Sequence, residues 1–451
     1  MKSIMLCAGV SLLAGCTSIN IDRAIGDTNR VAGDFTAGQL ALARTKTQSG
    51  AMHAAAAQLL RKPLSQDDAV HFAMLQSPVL QALLAQAWAD SADAAQSGRI
   101  VNPLFTFERM SLRSDVELDR LLSVGLLDLL TLPQRRTIAK RRLQQTQWQL
   151  ASAVIRHVTA VRAAWIQAVA AQQQLRYAQQ VNESAQVGAD LAQRMEAAGN
   201  FTRLQHARQQ AFYADAISQL AAAQQHATAT REQLVRMLGV TDAQLELLQL
   251  PERLPELPVL PRAPEDVSQS AMLNRLDLRI AEAELAVAAR MQGLTRIASL
   301  VNIQAGTRRD SVFDNAAGTR GVRRGYELDV RLPIFDWGDL QRDVMNAHTL
   351  AAANRLEATR GSANSALREA YSAYRTSYDI SKHFRDEVVP LRKLISDETL
   401  LRYNGMLVSV FELLADAREQ TISVMAAIGA EQEFWLADAS LRATIMGAVE
   451  K

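Results

Sequence analysis

Residues 326–355 read YELDVRLPIFDWGDLQRDVMNAHTLAAANR, and this stretch decides the fold. Its first residues alternate apolar side chains with Glu327, Asp329 and Arg331, and a period of two predicts a strand with one apolar and one charged face. After Pro333 the alternation stops, and a run rich in Ala predicts a long helix. A strand of a soluble sheet would rarely carry such a charged face, whereas a water-filled lumen accepts these three side chains.

The same pattern occurs earlier in the chain. Residues 130–133 read LTLP and parallel residues 330–333, which read VRLP. A long helical stretch follows each of them and then meets a glycine in similar surroundings, Gly199 in RMEAAGNFT and Gly405 in RYNGMLVS. The sequence therefore predicts two structurally equivalent halves.

Each half contains two candidate strands. Besides residues 326–332, alternating patterns occur at residues 105–108, 122–126 and 301–306. A tilted membrane strand needs about ten residues. Four strands cannot close a barrel, and an open edge in lipid leaves backbone groups unsatisfied at several kcal/mol each. Membrane strands here therefore require a homo-oligomer in which several copies share one barrel.

The helices carry regular apolar stripes. Val154, Val158, Val161, Trp165 and Val169 recur at spacings typical of a coiled coil. Tyr371, Tyr374 and Tyr378 form a similar stripe in the second half. A soluble helical bundle would account for these stripes equally well, so they do not choose between the two architectures.

A proline-rich segment, PERLPELPVLPRAP at residues 251–264, divides the chain near its middle. Each X-Pro pair disfavours helix at the preceding residue, so the segment is predicted to be an extended connector. The predicted organisation is a signal peptide (1–15), an N-terminal lipidated segment with the first helix (16–95), a first strand–helix repeat (96–250), the connector (251–265) and a second repeat (266–447).

The N-terminal residues indicate export and a lipid anchor. The apolar stretch 4–14 is too short to span a bilayer and fits a signal-peptide core. LAGC at residues 13–16 resembles a bacterial lipobox, in which Cys16 receives acyl chains such as palmitate and becomes the new N-terminus. Thr17 stands where Asp commonly retains a lipoprotein at the inner membrane, so the outer membrane is predicted. An ordinary signal peptide with a chance cysteine is the alternative.

Composition excludes several other functions. Lys+Arg 49 against Asp+Glu 47 gives a net charge of +2, which does not fit a nucleic-acid surface. There is no GxxxxGK[ST], HExxH or GxSxG motif. The 7 histidines do not lie at ligand spacing from one another, and Cys7 and Cys16 are the only cysteines. The sequence therefore predicts no enzyme, no cofactor and no metal site.

Taken together, these features resemble the TolC-type outer-membrane factors of tripartite efflux pumps. The most specific pieces are PIFDWGDLQRDVMNAHTLAAANR (333–355) and LRYNGMLVSVFELLADAREQ (401–420). Residues 63–86, which begin PLSQDDAVHFAMLQSP, look like the family's first helix, with Ser65 as a candidate N-cap.

The resemblance implies a mostly α protein with a small transmembrane β part. Three chains would form a 12-stranded β-barrel and a long coiled-coil helical tunnel that extends into the periplasm, with the connector in an equatorial belt. The protein would be a passive exit duct for small toxic solutes such as drugs or metal ions. Its partners would be a periplasmic adaptor protein, an inner-membrane transporter and outer-membrane lipid.

The resemblance also assigns two functional regions. The two glycine turns would be helical-hairpin tips that contact the adaptor, because glycine permits a tight reversal of the chain. The predicted tip residues are Arg194, Gly199, Phe201, Thr202, Arg402, Gly405, Met406, Leu407 and Ser409. Glu412 and Asp416 lie four residues apart on one helical face and are candidates for an acidic gate at the periplasmic aperture. A solvated helix face, with Asp416 near Arg418, is the alternative.

Two other functions stay open at this point. A type I protein-secretion duct would have the same fold, although lipidation favours small-solute or metal efflux. A lipid-anchored periplasmic coiled-coil scaffold would have no pore, and it would have no use for strands with a charged lumen face.

Overall fold

The structure is a computed structural model that describes residues 20–113, 115–298, 302–314, 316–332 and 334–448. Cys16 lies outside these residues, as do Val301 and Pro333, so the lipidation of Cys16 stays a prediction.

The chain consists mainly of helices. The helices before the first strand are α1 (Ile21–Val31), α2 (Gly33–Thr36), α3 (Lys46–Leu59), α4 (Gln66–Gln76) and α5 (Pro78–Gln96). Between the strand pairs lie α6 (Leu126–Leu130), α7 (Leu132–Ala197), α8 (Arg203–Leu238), α9 (Asp242–Leu245), α10 (Pro264–Asn274) and α11 (Leu276–Ala298). After the last strand come α12 (Asp339–His383), a π-helical turn (Phe384–Val388), α13 (Val389–Asn404) and α14 (Val410–Ile445). None of the helices in the described ranges combines the length and the apolar character that a membrane crossing requires.

The two halves of the chain repeat each other in helix length. In the first half α7 has 66 residues and α8 has 36. In the second half the helical path from Asp339 to Asn404 is as long as α7, and α14 again has 36 residues. The π-helical turn lets this second path stay helical just before Pro390, whose ring removes one backbone donor. The matching lengths support the internal duplication.

Four antiparallel strands form one sheet in the order β1 (Leu104–Leu112), β2 (Asp115–Gly125), β3 (Asn302–Asp314) and β4 (Thr319–Arg331). β2 and β3 join the two halves of the chain, and the outer edges of β1 and β4 find no partner strand within the described chain. All four strands extend past the alternating patterns, β3 and β4 by seven or more residues. The reason is that Arg308–Asp310 and Arg323–Arg324 place charges on both faces, which interrupts the period of two.

The fold divides into two compact units. One contains Gln86–Gln149, Asp277–Gly361 and residues 20–24, and includes the sheet. The other contains Ile25–Ala85, Leu150–Leu276 and Ser362–Lys451. Each unit draws on both halves of the sequence.

In the second unit the predicted apolar stripe of α7 is buried in the hydrophobic core. Val154, Val161 and Trp165 are at most 1% exposed. The Trp165 indole Nε1 donates to the Leu64 carbonyl at 2.8 Å, so the buried ring leaves no polar atom unpaired. The predicted cap is also confirmed, because Ser65 Oγ accepts from the Asp68 amide. The predicted first helix is two helices, since Ser77 precedes Pro78 and adopts an extended backbone.

The proline-rich connector docks on an aromatic cluster of the same unit. Phe434 is 1% exposed and lies 5.5 Å from the Tyr374 ring and 5.7 Å from the Tyr378 ring, measured between centroids. The Tyr378 hydroxyl donates to the carbonyls of Pro258 and Val259. The tyrosines therefore satisfy carbonyls that an extended, proline-rich backbone cannot pair with itself.

Candidate functional site

Two sharp turns end the long helices, one between α7 and α8 and one between α13 and α14. In the first, Gly199 has φ 77°, and the Asn200 amide donates to the Met195 carbonyl at 2.8 Å. In the second, the Leu407 amide donates to the Arg402 carbonyl at 2.9 Å, which is the equivalent bond.

The left-handed residue differs between the two turns. In the second turn it is Met406, with φ 60°, whereas Gly405 has φ −80°. The explanation that Gly405 permits the reversal through its backbone freedom is therefore wrong, because any residue adopts a φ of −80°. A methionine held at positive φ is unusual, and its side chain is 94% exposed.

A hydroxyl caps the helix that follows each turn. Thr202 Oγ1 accepts from the Gln205 amide, and the Gln205 side chain accepts from the Thr202 amide in return. Ser409 Oγ accepts from the Glu412 amide at 3.2 Å. Gln205 and Glu412 thus hold the same position in the two halves. Gln205 completes a capping box, and Glu412 places a carboxylate in the first turn of α14, where the helix dipole favours it.

The structure brings the two turns together. The Phe201 and Phe411 ring centroids are 4.2 Å apart, so residues from opposite halves of the chain meet here. Phe411 was not among the predicted residues, although an aromatic side chain close to each turn is a signal that the sequence offers. The nine predicted tip residues all lie at the two turns or in the helical turn before each, and Arg194, Arg402 and Leu407 are exposed.

The two gate candidates have different surroundings. Glu412 is exposed, whereas one carboxylate oxygen of Asp416 is enclosed and has no hydrogen-bond partner in the described part of the chain. Arg418 does not pair with Asp416; its guanidinium lies 3.3 Å from the centroid of the Phe212 ring. Arg418 and Phe212 line a cavity of about 180 Å³ beside Gly188. The gate role of Glu412 and Asp416 stays a prediction.

A second cavity, of about 480 Å³, contains a carboxyl group with a shifted pKa. Burial raises the pKa of Glu431 to about 7; the charge of Glu256 also raises this pKa, and the charges of Arg253 and Arg385 lower it. The other charged residues that line the cavity are Arg176 and Glu252.

The free energy of unfolding is expected to depend on pH through the charge of Glu431. Since its pKa exceeds the ordinary 4.5, the folded state holds the proton more tightly, and stability falls as pH rises from 4.5 to about 7. Glu431→Gln carries no charge at any pH, so we expect its Tm to exceed the wild-type value by roughly 2–4 °C at pH 8 and to match it at pH 4.5. Thermal unfolding at both pH values checks this. The control is Glu433→Gln at an exposed neighbour, and an equal Tm difference at both pH values for Glu431→Gln would contradict the assignment.

The predicted lumen charges share one face of the sheet. Glu327, Asp329 and Arg331 stand opposite Gly306, Gln304 and Asn302 in the β3–β4 register. On this face Arg308 contacts three carboxylates, at 2.7 Å from Asp119 of β2, 3.0 Å from Asp310 of its own strand and 3.6 Å from Glu327 of β4. The opposite face exposes Phe105, Phe107, Leu122, Tyr326 and Leu328.

Three carboxylates of the charged face lie close enough to share an ion. Ligand oxygens of Glu117, Asp119 and Asp310 all lie within 4.8 Å of one another. Arg308 and Arg323 pair with the same carboxylates, the latter at 3.2 Å from Glu117. The arginines already supply the positive charge that a cation would bring, so the cluster is stable as an ion-pair network.

Neither a protein-family model nor a curated protein sequence matches the chain. Solved structures do match its fold. A membrane protein from Pseudomonas aeruginosa has a TM-score of 0.69 at 19% identity, over 84% of this chain and 93% of that one. The Campylobacter jejuni CmeC outer membrane channel has a TM-score of 0.68 at 14% identity, over 88% and 86%. The open state of the Neisseria gonorrhoeae MtrE outer membrane channel has a TM-score of 0.62 at 18% identity, over 85% and 89%. The chain has the fold of these channels, which confirms the predicted fold class.

Proposed function

We propose that the chain is a passive exit duct in the outer membrane of a two-membrane bacterium. Three copies share a 12-stranded barrel, and their helices continue the duct into the periplasm. It moves small toxic solutes, drugs or metal ions, from a tripartite pump to the exterior. The fold shared with outer membrane channels supports this proposal and gives no support to an enzyme.

The observation that carries the proposal is the four-stranded sheet with two open edges and segregated faces. One face holds an ion-pair network that suits a water-filled lumen. The other exposes aromatic and aliphatic side chains, with Tyr326 96% and Leu328 64% accessible. Such a face is typical of strands that contact lipid. Pairing β1 of one copy with β4 of the next removes both open edges, and three copies reach a barrel of 12 strands.

The turns supply the surface for the adaptor protein. Met406 and Leu407 project from the second turn with 94% and 77% of their surface accessible. Exposed apolar side chains on a rigid, capped turn are typical of a docking site. The inner-membrane transporter supplies the energy, because the sequence contains no GxxxxGK[ST] motif for nucleotide binding.

Two further features complete the proposal. Acyl chains on Cys16 anchor the mature chain beside its barrel. In the trimer, three copies of Glu412 and Asp416 bring like charges together at the periplasmic aperture, so the closed gate favours cations and responds to pH and ions.

Native mass spectrometry of detergent-extracted outer membranes tests the assembly. We expect a mass of three mature chains, each starting at Cys16 and carrying acyl groups. Cys16→Ala is expected to lose the acyl mass and still form trimers, because the barrel anchors independently. A lipidated monomer or dimer would contradict the duct and leave the periplasmic scaffold as the better hypothesis.

A further inference from the structure

One face of the sheet carries charges of both signs, whereas the apolar face carries only positive charges. On the apolar face the described strands carry five arginines and no carboxylate: Arg109, Arg120, Arg309, Arg320 and Arg324. The strand carboxylates all lie on the opposite face, among them Asp119, Asp310 and Glu327. Charges that served only solubility would be mixed on both faces.

Three of these arginines stand side by side. The register places Arg120 beside Arg309 and Arg309 beside Arg324, across β2, β3 and β4. Neighbouring strands are about 4.8 Å apart, and like charges directly opposite each other are destabilising. We call Arg120, Arg309 and Arg324 the arginine row.

The row lacks the ion pairs that Arg308 and Arg323 form on the other face of the sheet. Arg120 donates to Ser311 Oγ at 3.0 Å, and its Nε is enclosed without a hydrogen-bond partner. Over the described ranges, no carboxylate lies within ion-pair distance of Arg309 or Arg324. By contrast, Arg308 and Arg323, one residue away on the other face, both form ion pairs. The row therefore presents unneutralised guanidinium groups.

The row borders the part of the apolar face that carries no charge; on its other side, toward the hairpin turns, exposed Val322 is followed by Arg320. From the row toward the helical end of β4, Tyr326, Leu328 and Val330 are exposed, and past the strand Phe335 and Trp337 are 99% and 62% accessible. Aromatic side chains of this kind mark a membrane–water interface. From Arg324 to residue 332 the chain covers roughly 26 Å along the strand, which at a tilt of about 40° is roughly 20 Å along the membrane normal, near the height of about 25 Å typical of an outer-membrane belt. The row thus reaches the opposite interface, on the side of the β-hairpin turns.

Position and charge together identify a ligand. Arginine is costly at the bilayer midplane and nearly free of cost at the interface, so an arginine row is stable only at headgroup level. Guanidinium groups bind phosphate oxygens in a bidentate manner. We infer that the arginine row binds the phosphate groups of membrane lipids in the outward leaflet. This inference rests on the proposed function, because it needs the sheet to stand in the outer membrane.

Lipid binding to the inserted trimer tests the inference. The full-length trimer is placed in phosphatidylcholine nanodiscs that contain bis-phosphorylated lipid A or its dephosphorylated form, and retained lipid is counted by native mass spectrometry. We expect retention of lipid A only when it carries phosphate. Arg309→Gln/Arg324→Gln should bind it about tenfold more weakly, since two charge-assisted contacts are lost. Arg323→Gln/Arg331→Gln is the matched control, because it removes the same charge from the other face of β4.

Each arm of the experiment has a result that overturns the inference. Equal retention of both lipids, or equal retention by the arginine-row variant and the wild type, would show that the row does not bind lipid phosphate. Displacement by millimolar inorganic phosphate would assign the row to a free anion. A wild-type chain that does not insert as a trimer would contradict the proposed function as well, whereas the other results leave that function intact.

Discussion

Leu407→Asp is expected to insert as a normal trimer and to lose export. Leu407 lies at the second turn with 77% of its surface exposed, so a charge there costs the fold little. In the complex with the adaptor the same side chain would be buried, and a carboxylate would then be desolvated without a partner. Losing a central contact of this kind lowers the binding free energy by about 2 kcal/mol or more. The association is then roughly 30-fold weaker for each copy of the second turn in the trimer.

The measurement is growth in toxic solutes of a host that depends on this chain for export, together with the trimer content of its outer membrane. Leu260→Asp is the matched control, because Leu260 is 79% exposed and lies on the connector, away from the turns. It should leave tolerance unchanged. Unchanged tolerance in Leu407→Asp would contradict the assignment of this turn to the adaptor.

The neighbouring Met406 separates a role in binding from a role in folding. Met406→Gly removes the exposed side chain and relieves its positive φ of 60°. The trimer should therefore be at least as stable as the wild type. If export is nevertheless reduced, the side chain itself contacts the partner.

Phe434→Ala is expected to cost about 3–5 kcal/mol of folding free energy, since it leaves a cavity in the aromatic cluster. Phe434 is 1% exposed and contacts Tyr374, Tyr378 and Trp435. Trp435 Nε1 donates to the Pro255 carbonyl, and Tyr378 donates to Pro258, so the connector should detach with the cluster.

Thermal unfolding and limited proteolysis at the connector check this prediction. Tyr374→Phe is the graded control. It keeps the ring and removes only the hydroxyl that accepts from the Arg262 amide at 3.0 Å, so a loss of about 1 kcal/mol is expected. If Phe434→Ala lost no more stability than Tyr374→Phe, the aromatic cluster would not be the part of the fold that holds the connector.

Local sequence patterns predicted the elements of the fold. The period of two at Glu327–Arg331 identified β4, and the stripe from Val154 to Val169 identified the buried face of α7, because apolar periodicity reports directly which face leaves water. The repeated turn sequences also predicted the duplication. Four strands are too few to close a barrel, and open strand edges are costly in lipid. A membrane location therefore required several copies of the chain.

Other features depended on which residues meet in space. The sequence did not show that Met406, rather than Gly405, takes the left-handed conformation, because the hydrogen bonds of the whole turn decide it. The contact between Phe201 and Phe411 joins residues from opposite halves of the chain. The matching capping positions of Gln205 and Glu412, by contrast, follow a spacing that the sequence offers, TRLQ at 202–205 and SVFE at 409–412.

The sheet shows most clearly which features follow from the sequence and which from the tertiary structure. The sequence by itself determined that four strands exist and that β4 has a charged face. The arginine row and the ion-pair network around Arg308 arose only in the tertiary structure, because the register between β2 and β3 brings together residues 189 positions apart in the chain. Periodicity assigns a side chain to a face, but strand pairing across distant segments decides its neighbours, and those neighbours set its charge balance and its ligand.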